Sequence, residues 1–216
     1  MKEITKYSRC AQYLEKLFDM INEDFFDGEL AKPIITLIPS SRSYGHYSVS
    51  EIWSVKGEEA NRHEINIATG TLSRPIEETV ATLLHECCHL WNNENRNVQD
   101  CSRGGMYHSR VFKEAAESHG LIVERSEKYG YSITKPSDEL IEWILDHDIR
   151  EIEINRLDIE RGAVIGTGSR SATGSTTITG ISGSHNYRYQ CPKCKAIARS
   201  CKPVNLICAD CFERMI

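Results

Sequence analysis

The segment His85-Glu86-Cys87-Cys88-His89 places two histidines four residues apart, with a glutamate directly after the first. On an α-helix, residues i and i+4 share one face, so both imidazoles can reach one metal ion while the glutamate lies beside a metal-bound water. Two neutral nitrogen donors and a carboxylate that accepts a proton are what a zinc hydrolase needs. The segment therefore predicts a catalytic zinc site with Glu86 as the general base.

The residues around this motif predict the helix that it requires. Pro75 suits a first helical turn, and the two glutamates after Ile76 favour the positive end of the helix dipole. Apolar side chains recur at helical spacing, at Ile76, Val80, Leu83, Leu84, Cys87 and Trp91. This stripe points away from the two histidines, so we expect one face in the core and the other face in a cleft.

A hydrolytic zinc site needs a third protein ligand and an open position for water. The metzincin class would require a glycine at position 92 and a histidine at position 95, where this chain has asparagines, and that class is excluded. Residues 107–120 are predicted to form one helix that ends at Gly120. This segment offers three possible ligands: His108, Glu114 and His119.

Helix geometry limits the choice of the third ligand. His108 and His119 would lie about 16 Å apart along the helix axis, so only one of them can bind the metal. We favour His108, because the Gly104-Gly105 bend before it can bring the chain back over the metal helix. His119 lies beside the terminal glycine and is expected to be a dipole partner or a surface residue.

A second metal motif lies near the C-terminus. Two C-x-x-C pairs, formed by Cys191, Cys194, Cys208 and Cys211, are separated by 13 residues. Four thiolates at this spacing are typical of a tetrahedral structural zinc site, and a segment this short needs one to fold. We therefore predict a zinc ribbon over residues 187–216.

Composition separates this ribbon from the rest of the chain. Between Gly162 and Asn186, 16 of 25 residues are glycine, serine or threonine, which predicts a flexible linker or loose hairpin over residues 162–186. Residues 1–161 then form the main domain. The N-terminus lacks an apolar signal segment and no run approaches transmembrane length, so we expect a cytoplasmic protein with reduced cysteines and no membrane partner.

The main domain is predicted to be α+β. An N-terminal amphipathic helix ends near Asp27-Gly28, and a last helix covers residues 137–147. The segments 33–38, 44–49 and 63–68 are predicted strands of one small sheet, and 149–159 is predicted to be an edge strand.

Charge is distributed unevenly along the chain. Residues 185–216 contain six basic and two acidic residues, a net +4, whereas the whole chain carries −5, so the remainder carries −9. Tyr187 and Tyr189 lie among these cations and could stack on bases. The predicted contacts to single-stranded DNA are Arg188, Lys193, Lys195, Arg199 and Lys202, and the alternative is that these residues serve solubility and packing.

Several segments resemble the SprT-like family, a group of zinc metallopeptidases that includes the Spartan proteases of DNA-protein crosslink repair. They occur in the family's order: Phe25-Phe26-Asp27-Gly28-Glu29-Leu30, Pro33 with an apolar strand, Tyr44-Gly45, Glu64-Ile65-Asn66-Ile67, Arg74-Pro75-Ile76-Glu77-Glu78-Thr79, the metal helix, residues 108–112 and a terminal ribbon. Two features depart from the family's pattern. The connection between His89 and His108 has 18 residues, and Ser109 stands where a glycine often follows the third histidine.

The resemblance implies a zincin-like fold of helices packed on a small mixed sheet, followed by the ribbon. It implies two zinc ions, one catalytic at His85, His89 and His108 and one structural at the four cysteines, with Glu86 as the catalytic glutamate. The implied activity is hydrolysis of peptide bonds in DNA-associated proteins. The alternatives left open are a nucleic-acid-binding accessory factor with an inactive or non-proteolytic zinc domain, and a zinc hydrolase that acts on another substrate.

Overall fold

The computed structural model describes residues 3–41, 43–157, 187–200 and 204–216, without the side chain of Arg199. The chain divides into two compact units, Met1–Asp158 and Ile159–Ile216. The predicted linker over residues 162–186 lies outside the described residues, as does Lys202.

The first unit is a mixed α+β domain, as the sequence predicts. Its helices are α1 (Tyr7–Phe26), α2 (Ile76–Glu94), α3 (Arg110–Ser118) and α4 (Asp138–Asp146), with a short 3-10 turn at Thr69–Thr71. Its strands are β1 (Ile34–Thr36), β2 (Gly45–Tyr47), β3 (Glu64–Ile67), β4 (Cys101–Ser102), β5 (Tyr107–His108), β6 (Leu121–Ser126) and β7 (Gly130–Pro136).

These strands form two small sheets. In the first sheet the order is β1-β3-β2, with β1 parallel and β2 antiparallel to β3, so β2 is an edge strand. In the second sheet the order is β4-β5-β7-β6, with β5 parallel to β7 and the other neighbours antiparallel. The sequence predicts one small sheet from the strands before α2, and the second sheet was not predicted.

Helix α2 packs against both sheets and against the other three helices. Its residues are therefore buried around most of its circumference, including polar ones such as Glu86 and Asn92. Cys87 is completely buried in the core, as predicted. The predicted apolar stripe is present, but the histidine face is also covered, because the second sheet and α3 lie over it.

Two predictions about the chain after α2 are wrong. His108 does not begin a helix: it lies in β5, and α3 begins at Arg110 after Ser109, whose Oγ accepts a hydrogen bond from the backbone N–H of Val111 at 3.1 Å. The predicted edge strand is absent from residues 149–157, and positions 158–159 lie outside the described residues. The apolar and charged alternation there instead buries Ile152 in the core, while Glu151 accepts a hydrogen bond from the backbone N–H of Ile76 at the start of α2.

The second unit contains a hairpin of β8 (Tyr187–Gln190) and β9 (Ile197–Ser200), paired antiparallel from Tyr187↔Ser200 to Gln190↔Ile197. The backbone of Gln190 also bonds to Ile216 in both directions, which fixes the C-terminal end against the hairpin. Across both units, no helix of the described residues is long and apolar enough to cross a bilayer.

Candidate metal centres and active site

The side chains of His85, His89 and His108 meet at one point. Their Nε2 atoms are 3.1 Å apart for His85 and His108 and 3.2 Å apart for the two pairs that involve His89. Two of these residues come from one face of α2 and the third from β5. The structure therefore brings the three histidines predicted from the sequence into one cluster that could hold a metal ion.

The spacing of the three nitrogens fits an ion of the size of zinc. Zinc binds imidazole nitrogen at about 2.0–2.1 Å in tetrahedral sites, a geometry that places two ligand nitrogens about 3.3 Å apart. The observed separations lie just below this value. Three protein ligands also leave one tetrahedral position for water or a substrate oxygen.

The outer nitrogen of two of these rings is hydrogen-bonded. His89 Nδ1 lies 2.8 Å from Asp100 Oδ2, and His85 Nδ1 lies 3.1 Å from Thr134 Oγ1. Asn92 in turn donates from Nδ2 to Asp100 at 2.9 Å. A carboxylate that accepts the Nδ1 proton of a histidine leaves the Nε2 lone pair free for a metal and fixes the ring orientation.

Burial keeps the imidazoles of His85 and His108 in the neutral form that binds metal. It lowers the pKa of His85 well below its usual range, and the neighbouring His89 and His108 lower it further. The pKa of His108 is lowered to about 4, mainly by burial and further by the nearby His89. The completely buried ring of Phe112 lies 4.4–4.7 Å from all three imidazole rings. Water is thereby excluded from one side of the cluster.

Glu86 follows His85 on α2 and is 5% exposed. Burial raises the pKa of its carboxyl to about 7 in the metal-free chain. Gly45 of β2 lies directly against it: a Cβ at Gly45 would be 2.8 Å from Glu86 Oε1 and 3.0 Å from the Asn66 carbonyl oxygen. The absence of a side chain at Gly45 is what allows the edge strand and this carboxylate to pack together.

The other two candidates for the third ligand lie elsewhere. Glu114 is exposed on α3 and forms an ion pair with Arg110 at 3.0 Å. His119 is buried rather than at the surface, and it matches the other expected position: its Nδ1 lies 2.7 Å from the Ala115 carbonyl oxygen at the C-terminal end of α3. Its ring stacks on Phe26 at 4.2 Å and meets Trp91 edge-on at 4.7 Å.

The long connection from α2 to the third histidine contributes to the site. It carries Asp100 and the β4–β5 pair, in which Cys101 lies opposite His108. On its other side, His108 pairs with Gly130 of β7. Only glycine fits at position 130, because its φ is +67° and a Cβ there would lie 2.2 Å from the His108 carbonyl oxygen. The second departure from the family's pattern, Ser109, is explained by its role as the N-cap of α3.

The four C-terminal cysteines form a second cluster that could hold a metal ion. The sulfur atoms of Cys191, Cys194, Cys208 and Cys211 all lie within 4.8 Å of one another. For zinc, Zn–S distances of about 2.3 Å place tetrahedral sulfurs about 3.8 Å apart, so the spacing fits. The backbone N–H of Cys194, with a further contribution from Lys193, lowers the pKa of the Cys191 thiol to about 7. This favours the thiolate form of Cys191, which metals bind, whereas the hydrogen bond with Cys194 raises the pKa of Cys211.

The basic residues predicted to contact DNA are only partly described. Lys193 and Lys195 are exposed, and Arg188 is half-buried in β8. The side chain of Arg199 and the whole of Lys202 lie outside the described residues. Tyr187 is 42% exposed, whereas the hydroxyl of Tyr189 accepts a hydrogen bond from the backbone N–H of Val204 at 2.8 Å and supports the fold of the unit.

Several residues of the site are not identified by the sequence motifs. They are Asp100, Gly130 and Thr134, whereas Gly45 and Phe112 lie in segments that carry the family resemblance, where the sequence assigns them no role. Asp100, Gly130 and Thr134 lie 11 to 49 residues away from the histidine that they contact. The apolar spacing of α3 does predict that Phe112 is buried, but nothing in the sequence places it beneath the three histidines.

Comparison with known proteins gives one match. A model of the SprT-like family matches residues 14–130, which cover more than half of the chain and include α2, His108 and most of the first unit. No curated protein and no solved structure gives a significant match to the chain.

Proposed function

The chain belongs to the SprT-like family, a metallopeptidase-like family, and we propose on this basis that it is a zinc-dependent endopeptidase of the H-E-x-x-H type. In this proposal the first unit is a zincin-like domain and the second is a zinc ribbon, with one catalytic and one structural ion. The single observation that carries it is the convergence of three histidine Nε2 atoms beside the buried carboxylate of Glu86.

His85, His89 and His108 would hold the catalytic zinc, and the four cysteines the structural one. When bound, the catalytic ion lowers the pKa of a water to about 7 and polarises the carbonyl of the scissile peptide bond. Asp100 supports metal binding by His89, because it keeps the proton of the ring on Nδ1 and leaves Nε2 free. Burial alone would raise the pKa of Asp100, but the hydrogen bonds from His89 and Asn92 help to hold it below its usual value, so Asp100 stays ionised.

Glu86 would move the proton that the reaction requires. Its carboxylate takes a proton from the attacking water and later gives it to the nitrogen of the leaving amine. Burial raises the pKa of this carboxyl in the metal-free chain, and the positive charge of a bound zinc ion would favour the carboxylate form that accepts the proton. Phe112 excludes water from one side of the cluster, which strengthens the electrostatic interactions within it.

The edge strand β2 provides a place for the substrate backbone. The carbonyl oxygen of Tyr44 accepts a hydrogen bond from the N–H of Ala68, directly after β3, and the N–H of Ser48 donates to the carbonyl oxygen of Glu64 in β3. In the antiparallel pattern, the polar backbone groups of Gly45 and Tyr47 then face away from β3. An extended peptide can add to these groups as a further antiparallel strand. Because Gly45 contacts Glu86, such a peptide would pass beside the catalytic carboxylate.

We propose DNA-associated proteins as the substrates, with single-stranded DNA bound by the ribbon. The support is the family membership together with the exposed Lys193 and Lys195 on a unit of net positive charge. The net charge of −9 on the rest of the chain makes the ribbon the more favourable place for a polyanion.

The test of this function pairs a zinc count with a cleavage assay. The full chain should contain two zinc ions and cleave a DNA-binding protein, more rapidly with single-stranded DNA present. His108→Ala should retain about one zinc and lose cleavage, because two histidines are too few to hold the catalytic ion. His147→Ala is the matched control, since His147 is 38% exposed on the surface after α4, and it should keep both zincs and full activity.

The outcomes separate this proposal from its alternatives. Two zincs in His108→Ala would remove His108 from the ligand set. An intact site in the wild type that cleaves no protein, while the chain still binds DNA, would favour an accessory factor with a non-proteolytic zinc domain.

A further inference from the structure

A row of side chains runs from Glu86 toward the start of α2. The position that a Cβ would take at Gly45 is close to both Glu86 Oε1, at 2.8 Å, and Thr82 Cγ2, at 3.0 Å. Thr82 lies one helical turn before Glu86, and its Oγ1 accepts a hydrogen bond from Arg74 Nη2 at 2.9 Å. The Arg74 guanidinium also lies 4.0 Å below the ring of Tyr44, the residue before β2. Arg74 is therefore joined to the catalytic carboxylate through one residue of α2 and one edge strand.

The positive charge of Arg74 is weakly balanced. Its side chain is only 17% exposed, and the nearest carboxylate among the described residues is Glu78, at 3.8 Å and 42% exposed. Its hydrogen bonds within the described residues go to neutral groups, the Thr71 carbonyl oxygen and the Thr82 hydroxyl. A guanidinium has five N–H donors, so donors remain for a further partner. A largely buried cation whose ion pair among the described residues is this long and partly exposed one can bind an anion as a further partner.

The direction of the edge strand tells which part of a substrate would meet Arg74. Strand β2 runs along α2 in the same direction, because Gly45 contacts Thr82 and Glu86 whereas the Tyr47 hydroxyl bonds to Asn93 near the end of the helix. A peptide paired antiparallel to β2 then runs toward the start of α2. Its residues on the C-terminal side of the scissile bond would lie beside Thr82, Tyr44 and Arg74.

We propose that Arg74 is a specificity-determining residue that binds an acidic side chain or a terminal carboxylate within the first residues after the scissile bond. The inference rests on the proposed function and deepens it, since it names the substrate class of the same site. Tyr44 is 58% exposed over the guanidinium and would form the outer wall of this subsite.

A cleavage map of a mixed peptide library tests the inference. Sites cut by the wild type should be enriched about fivefold or more in Asp and Glu within the three positions after the bond, relative to Gln and Asn. Arg74→Gln should reduce this ratio to about one while it still cuts neutral peptides. Arg74→Glu should shift the preference to Lys and Arg. Arg62→Gln is the matched control, because Arg62 also forms an i,i+4 pair with a glutamate, and its ratio should equal that of the wild type.

A binding measurement complements the map. In the Glu86→Gln background, a peptide that ends in glutamate should bind more tightly than its glutamine analogue, and Arg74→Gln should abolish the difference. Zinc content and thermal unfolding of each Arg74 variant confirm that the site is intact.

A wild type that cleaves peptides without acidic preference, with no effect of Arg74→Gln or Arg74→Glu on the map, would overturn the inference and leave the proposed function standing. A zinc-loaded wild type that cleaves no peptide would overturn both.

Discussion

Asp100 and Glu86 are two buried carboxylates that influence the same histidine and carry opposite pKa shifts. The hydrogen bonds from His89 and Asn92 oppose the effect of burial on Asp100, and its pKa stays low, so it remains an anion that orients the ring. For Glu86, burial is the largest effect and raises the pKa to about 7. Such a pair of carboxyls, one fixed as an anion and one able to exchange a proton, is the pattern that acid-base catalysis requires.

The raised pKa of Glu86 predicts a pH-dependent stability in the metal-free protein. An unfolded glutamate has a pKa of about 4.3, so between that value and about 7 the folded chain binds the additional proton. The contribution of Glu86 therefore favours folding at low pH and is lost as the pH rises through 7. At pH 8, Glu86→Gln should be more stable than the wild type by about 2–3 kcal/mol, and the difference should shrink toward pH 5.

Urea unfolding in the presence of a chelator measures this difference. All three tryptophans, Trp53, Trp91 and Trp143, lie in the first unit, so their fluorescence reports that unit alone. Glu114→Gln replaces an exposed glutamate and should follow the wild type at every pH. Parallel stability profiles for the wild type and Glu86→Gln would show that burial does not perturb this carboxyl.

At the scale of elements, the parallel pairing of β5 and β7 positions the third histidine. Gly130→Ala should disrupt this pairing, because its Cβ would lie 2.2 Å from the His108 carbonyl oxygen. We expect the variant to lose the zinc of the histidine site, with zinc content falling from about two to about one, and to lose activity.

Gly57→Ala separates this clash from backbone strain. Gly57 also has a positive φ, at +96°, but a Cβ there would meet no atom within 4 Å. It should cost about 1 kcal/mol of stability and leave both zincs in place. Equal behaviour of the two alanine variants, in zinc content and unfolding, would contradict the role given to Gly130.

Local sequence signals predicted the elements before α2 well. Helix α1 ends at Phe26 with Asp27 as its C-cap, and β1, β2 and β3 lie within the predicted strand segments. The second sheet was missed because its strands pair across connections that leave no period in the sequence, such as β5 with β7. The same reason applies within the site. The spacing of the metal motif revealed His85, Glu86 and His89, whereas Asp100, Thr134 and Gly130 act through contacts that only the fold creates.

At the scale of the whole molecule, the positive charge of residues 185–216 and the negative charge of the rest of the chain predict where a polyanion binds. Replacement of Lys193 and Lys195 by alanine in the full chain should weaken binding to single-stranded DNA at least severalfold and reduce its salt dependence, because fewer phosphate contacts release fewer counterions. Fluorescence anisotropy at several salt concentrations measures both effects. The control is alanine at Lys56 and Lys128, two exposed lysines of the first unit. Equal losses in both pairs would remove the ribbon as the binding site.

The central claim is that the three histidines and Glu86 form one peptidase site, and the most direct test is cleavage of a protein substrate by the wild type and by Glu86→Gln at equal zinc content. The glutamine retains the shape of the side chain but cannot accept the proton of the attacking water. We predict two zincs in both proteins and a loss of cleavage of at least about a hundredfold in the variant. A zinc-loaded Glu86→Gln protein that cleaves at the wild-type rate would contradict the account.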